Sequence, residues 1–262
     1  MTGGGKRLGA AICEAFARAG WMVWCQYRAS RAEAMALCES LRSQGFAAEA
    51  VEADITQEAG RLALMQQVTA HAPLQCVVNN ASAFEPDSGL EFDVDLAQRQ
   101  LGVNLIAPLS LARLLARQAP TGAEHADCSA IHILDQKVYN LNPDYFSYTV
   151  SKLALERAVS LQAQALGPRL RVCGVAPGIL FESGPQSTDN FRRAASANLL
   201  RRPIDPMDVA RSCVFLAETP SVTGTTLCVD NGQHLVPLPR DIMFVVDELL
   251  QASNDAPSSS AP

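Results

Sequence analysis

Thr2-Gly3-Gly4-Gly5-Lys6-Arg7-Leu8-Gly9 opens the chain and runs straight into a helical pattern over residues 8–19. Glycines let a backbone come close to phosphate, and the helix N-terminus behind them offers free N–H groups and the positive end of its dipole. A flexible glycine-rich terminus without a ligand is the alternative reading of this stretch taken by itself.

Working outward, strand-like and helical segments alternate. Short strands are expected at 22–27, 47–53, 74–79, 130–134, 171–175 and 226–230. Helical patterns fall at 31–44 (closed by Gly45), 57–71, 94–119, 146–166 and 206–218. Alternation without a composition break predicts an α/β fold: a Rossmann-type doubly wound parallel sheet, three layers α/β/α, in a single domain over residues 1–240. The Ser/Pro/Ala stretch at 251–262 is expected to be a disordered tail. No strand is written ahead of the glycine turn, where a doubly wound sheet has a central one. The sheet therefore reads as lacking its first central strand, at a cost on the order of 10 kcal/mol in lost apolar burial. That cost points to a start farther upstream or a truncated form.

Composition narrows the class. The 262 residues are 48% hydrophobic and 18% charged, with a formal net charge of −6 and no basic run, which argues against a nucleic-acid surface. No apolar stretch approaches the ~20 residues of a membrane span, and no signal peptide opens the chain. The eight cysteines include no C-x-x-C pair, as expected for free thiols in a reducing cytoplasm. The four histidines lack ligand spacing, so no metal is expected.

Chemistry concentrates around Tyr148-Thr149-Val150-Ser151-Lys152. Residues four apart on a helix share a face, and a lysine ammonium beside a phenol is expected to lower a pKa of about 10. Asp135 stands thirteen residues ahead of the tyrosine at the end of an apolar strand run, as part of a proton-donating site or as a strand-end acid bonded to backbone amides. Tyr27-Arg28-Ala29-Ser30 ends the strand at 22–27 with no acid for a ribose 2′-hydroxyl. Arg28 and Ser30 suit a 2′-phosphate, which favours NADP(H) over NAD(H), a solvated surface arginine being the alternative. Asp54, and Asn80-Ala81-Ser82 after Asn79, follow strand ends where ligands bind in open sheets. Asn104 is polar inside an apolar helix, either satisfying local backbone or holding a water in a proton relay.

Together these strings resemble the short-chain dehydrogenase/reductase family from Thr2 to Leu235. They include T-G-x-x-x-x-x-G, N-N-A at Asn79, Asn104, Tyr148 with Lys152, and Ala176-Pro177-Gly178. The resemblance implies Tyr148 as proton donor, Lys152 on the nicotinamide ribose and Asn104 ordering a water. It implies a cofactor cradle from Thr2, Gly3, Lys6, Arg7, Leu8, Gly9, Tyr27, Arg28, Ser30, Asp54, Asn80, Ala81, Ser82, Pro177 and Gly178. Asp135 in place of the usual serine, and Arg7 in place of a glycine, resemble the pteridine reductase and dihydromonapterin reductase branch. There Phe84 would stack a pterin (loop packing is the alternative), with Arg7, Ser82, Asp135 and Tyr148 also touching substrate. The resemblance also implies a homotetramer built on the helices containing Asn104 and Tyr148. Residues 178–203 are expected to form a mobile lid over the site, with Gln186, Asp189 and Phe191 as unranked candidates to touch substrate and a solvated helical segment as the equal alternative. The resulting expectation is a cytoplasmic NADPH-dependent reductase of a pterin C=N bond, on a dihydromonapterin- or dihydrofolate-like substrate. A general carbonyl or 3-oxoacyl reductase and a non-catalytic NADP-binding paralogue are the alternatives.

Overall fold

Leu8, Ile12, Cys13, Ala15 and Phe16 recur at helical spacing and are all buried along α1 (Arg7–Arg18). The helix begins where the glycine turn ends, in a computed structural model that describes residues 1–70, 72–118, 128–184 and 186–246. The expected tail at 251–262 lies outside the described residues. From α1 the chain continues through β1 (Val23–Tyr27), α2 (Arg31–Ser43), β2 (Ala48–Glu52), α3 (Glu58–Val68) and β3 (Cys76–Asn79). Next come α4 (Val94–Leu101), a π-helical turn (Gly102–Ile106), α5 (Ala107–Gln118), β4 (Ser129–Ile133) and a 3₁₀ turn (Gln136–Val138). The last part comprises α6 (Phe146–Leu166), β5 (Arg171–Pro177), α7 (Thr188–Ser196), α8 (Pro206–Glu218) and β6 (Thr226–Val229). Side chains set some boundaries: Asp93 accepts from the amides of Asp95 and Leu96 to start α4, and Asp205 caps α8 ahead of Pro206.

Every strand pairing is parallel, and the sheet comes in two pieces: β1–β2, and β3–β4–β5–β6 in that order. β4 and β5 are buried throughout, the signature of strands covered on both faces. One core packs the sheet against α1, α2 and α8, and a second packs it against α3 and α5.

Residues 1–4 bridge the two pieces. Gln26 N donates to Met1 O at 2.9 Å, Gly4 N to Gln26 O at 3.0 Å, and Thr2 N to Val78 O at 3.0 Å. The Met1 ammonium donates to Trp24 O at 2.9 Å. Beyond these rungs lies a cavity of about 530 Å³, lined by Met1, Phe16, Trp24, Leu74, Cys76 and Val78 among others. The edges of β1 and β3 therefore face each other across a slot in which no strand lies among the described residues.

The single helix expected over 94–119 is interrupted. The π turn at 102–106 lets Asn104, fully buried, turn its amide out of the helix: Oδ1 accepts from Ala83 N at 2.8 Å, and Nδ2 donates to Ala83 O at 2.9 Å and to Ser151 Oγ at 3.0 Å. Such turns recur at functional positions because they re-aim one side chain without ending the helix.

Candidate active site

The strand ends of β3, β4 and β5 and the N-terminus of α1 converge on a cavity of about 290 Å³. Asp135 leaves β4 at its floor. One carboxylate oxygen accepts from Lys137 N at 2.8 Å and the other from the Tyr148 hydroxyl at 2.8 Å. Burial pushes the Asp135 carboxyl above the usual carboxylate range. Lys152, one turn along α6, donates to Ile133 O at 2.8 Å and sits 5.7 Å from the Tyr148 ring centre.

The expected effect of the lysine on the phenol is reversed. Tyr148 is pushed well above its ordinary pKa of 10.0, first by burial and then by the Asp135 charge. Burial also lowers Lys152 to about 8. A carboxylate in hydrogen-bond contact outweighs a cation farther away, because Coulomb energy falls with distance while desolvation acts on the phenolate directly.

The glycine turn is packed too closely for side chains at Gly3 and Gly9. A Cβ on Gly3, at φ +60°, would lie 3.1 Å from Ala81 Cα, and one on Gly9 would lie 2.2 Å from Gly3 O. No side chain caps the first turn of α1, so its free N–H groups remain for an anion. Thr2 Oγ1 accepts from the amides of Asn80 (2.9 Å) and Ala81 (3.0 Å), and Asn80 Nδ2 donates to Thr2 O and Gly3 O, fastening the turn to the end of β3. These residues fit a dinucleotide pyrophosphate. Leu8, Asn80, Pro177 and Gly178 line the same cavity.

Other expected residues sit elsewhere or are already engaged. Tyr27 is core, its hydroxyl directed to Glu52 at 3.4 Å. Lys6 is exposed and pairs with Glu33 at 3.7 Å. Arg28 is exposed and Ser30 half-buried at the start of α2. The Asp54 carboxylate is held below its usual range by the hydroxyl and amide of Thr56, which it accepts at 2.7 and 2.9 Å. Arg7, at φ 53°, donates to Glu182 O at 2.5 Å and lies over Phe181 at 5.1 Å, tying the loop after β5 to the cavity wall. Ser82 donates to Asn104 Oδ1 at 3.2 Å. Phe84 has one face stacked on Tyr145 at 4.1 Å and meets Tyr148 edge-on at 4.7 Å.

In the loop after β5, Ile179, Leu180 and Phe181 line the cavity, whereas Gln186 bonds Asn190 and Asp189 pairs with Arg192. No motif in the sequence marks Gln136, Lys137 and Asn140, nor the strap at 236–246, whose Leu238, Asp241, Ile242 and Met243 line the cavity. Asn140 Nδ2 donates to Val236 O at 2.7 Å, Lys137 meets Asp241 at 3.2 Å, and Asp144 holds both Arg240 (2.7 Å) and the Asp241 amide (2.7 Å).

Known proteins resemble this chain in sequence and fold. The family model described as enoyl-(acyl carrier protein) reductase matches residues 5–234. The dihydromonapterin reductase of Citrobacter koseri is 28% identical over 245 residues, covering 90% of this chain and 95% of the relative. An uncharacterized oxidoreductase of Mycobacterium tuberculosis is 34% identical over 242 residues, covering 88% and 90%. The crystal structure of FolM alternative dihydrofolate reductase 1 from Brucella canis, complexed with NADP, superposes with a TM-score of 0.85 at 35% identity, covering 92% of this chain and 95% of that one. On these matches, the chain belongs to the short-chain dehydrogenase/reductase family.

Proposed function

We propose that the protein is an NADPH-dependent reductase of a dihydropterin C=N bond. The observation that carries the reading is the buried Asp135–Tyr148 hydrogen bond, 2.8 Å long, where the family's tyrosine faces an acid instead of a hydroxyl. Bound NADPH supplies the hydride. Thr2, Gly3, Gly9 and the first turn of α1 hold its pyrophosphate, Arg28 and Ser30 its 2′-phosphate, and Asn80, Ala81, Pro177 and Gly178 the remainder. The Tyr148 hydroxyl proton, held on Asp135 at 2.8 Å, is passed to a ring nitrogen through that carboxyl, whose acidity is weakened by burial. Tyr148 relays the replacement proton, Lys152 supplies positive charge behind it, and Asn104 orients the relay through Ser151. The names of relatives acting on dihydromonapterin and dihydrofolate support the substrate class.

A panel of dihydropterins and carbonyl compounds, followed by NADPH oxidation, tests this reading. Turnover of dihydropterins that Asp135→Ser lowers at least tenfold is the expected result, and turnover of carbonyls alone refutes it. We also propose a cytoplasmic homotetramer. Among the described residues no helix is long and apolar enough to cross a membrane. Ile106, Val150 and Leu161, exposed on the helices near Asn104 and Tyr148, suit an interface. Light scattering at the monomer mass would refute the tetramer.

A further inference from the structure

Two side chains directly after Asp135 are unused by the steps above, and both have unmet hydrogen-bonding needs. The Lys137 side chain, 4% exposed, lines the cavity. Of its three ammonium hydrogens, one reaches Asp241 Oδ2 at 3.2 Å. The Tyr145 ring centre lies 5.3 Å away, and no second acceptor is within hydrogen-bond reach among the described residues. Gln136 lines the same cavity and is 9% exposed, and its Oε1 is buried without any donor. Buried polar groups are nearly always satisfied, and an unmet charged donor is the costlier exception. Adjacent residues facing one cavity, one short of acceptors and the other short of a donor, complement a ligand that carries an acceptor beside a donor.

Their placement is fixed from two sides. Lys137 N bonds Asp135 Oδ1 at 2.8 Å, which sets both side chains at a constant offset from the acid. Asp241 holds the ammonium from the strap, and the strap is itself fastened by Asp144 through the Asp241 amide at 2.7 Å.

We propose that Gln136 and Lys137 read the lactam edge of the substrate ring: Lys137 Nζ donates to the ring carbonyl oxygen, and Gln136 Oε1 accepts from the adjacent ring N–H. The assignment rests on the pterin reading above and names the residues that recognise the ring.

The test uses the full chain, with 7,8-dihydropterin as substrate and a 2,4-diaminopteridine, whose ring carbonyl is replaced by an amine, as inhibitor. Lys137→Met raises the dihydropterin KM roughly tenfold to hundredfold. The NADPH KM stays the same, kcat stays within a few-fold, and Lys137→Arg recovers most of the loss. Gln136→Met raises the same KM about tenfold. The diamino inhibitor binds wild type and Lys137→Met alike, because it offers the ammonium no oxygen. A dihydropterin KM within twofold of wild type, or equal losses for substrate and inhibitor, overturns the assignment. If Lys137→Met melts early, Lys137→Arg and Gln136→Met carry the same comparison. A wild-type protein that turns over no dihydropterin refutes the pterin reading and this assignment with it. Wild-type turnover with unaffected variants refutes this assignment alone.

Discussion

Lys152→Met separates what the lysine does for catalysis from what it costs the fold. The side chain is 3% exposed and makes one hydrogen bond, to Ile133 O at 2.8 Å. Burial lowers its pKa from an ordinary 10.5 to about 8. Below pH 8 the lysine is charged in both folded and unfolded chains, and the folded state bears the full desolvation cost. Between pH 8 and 10.5 the unfolded chain still binds the proton and the folded one does not, so stability rises with pH across that window. The interval corresponds to roughly 3 kcal/mol, or about 6–12 °C in Tm for a domain of this size. Other groups titrate at alkaline pH, among them Cys76 and Cys228, raised to about 11, so the quantity to follow is the difference between wild type and Lys152→Met. That difference shifts in favour of wild type by roughly 3 kcal/mol as pH rises from 7.5 to 10.5. The same titration should appear in the free enzyme's kcat/KM, which falls above about pH 8 as the positive charge behind the phenol is lost. Thermal unfolding and steady-state kinetics across this range check both halves. A stability difference that stays flat with pH refutes the buried-cation argument.

His132 lies fully buried on β4 between Asn79 Nδ2 at 3.1 Å and Gln162 Oε1 at 3.0 Å, and burial lowers its pKa to about 4. Its neutral form is the folded one, so stability is complete above pH 6.5 and falls by roughly 3 kcal/mol as pH drops toward 4. Urea titrations of His132→Gln should show a shallower acid loss, and equal slopes would contradict this. Gly9→Ala places a Cβ 2.2 Å from Gly3 O and 2.8 Å from Asn80 Nδ2, which pushes the phosphate turn open. We expect NADPH affinity to fall at least a hundredfold by calorimetry, with about 1–3 kcal/mol of lost stability; wild-type affinity would rule out the phosphate role of the turn. An apolar, β-branched segment of about five residues fused ahead of Met1 should pair with both β1 and β3 and fill the 530 Å³ slot. Burial of about 1.5–3 kcal/mol per side chain, opposed by about 1–2 kcal/mol of backbone ordering per residue, leaves a gain of several kcal/mol. The Tm should then rise by about 10 °C, and an unchanged Tm would show that the slot does not accept a strand.

What could be read in the sequence divides along a physical line. The glycine turn, the strand-end Asn80 and the Tyr148/Lys152 pair were legible because their chemistry depends on spacing within a few residues, and the structure brings Asn80, Tyr148 and Lys152 to one cavity. The break in the helix at 94–119 was not, because its cause is tertiary: Ala83 and Ser151, distant in sequence, draw the Asn104 amide out of the ladder. The Tyr148 shift went wrong for the same reason. Local spacing shows a cation four residues along, whereas burial and a carboxylate at 2.8 Å exist only once β4 and α6 are packed. Gln136 and Lys137 look like an ordinary polar turn, yet both are buried in the packed fold, Lys137 against Asp241 of the strap at 236–246. Desolvation converts a surface-type dipeptide into a site, and desolvation by a segment a hundred residues away leaves no local pattern. The lysine that meets the strap therefore owes its surroundings to the chain's far end, whereas Tyr148 and Lys152 are written one helical turn apart.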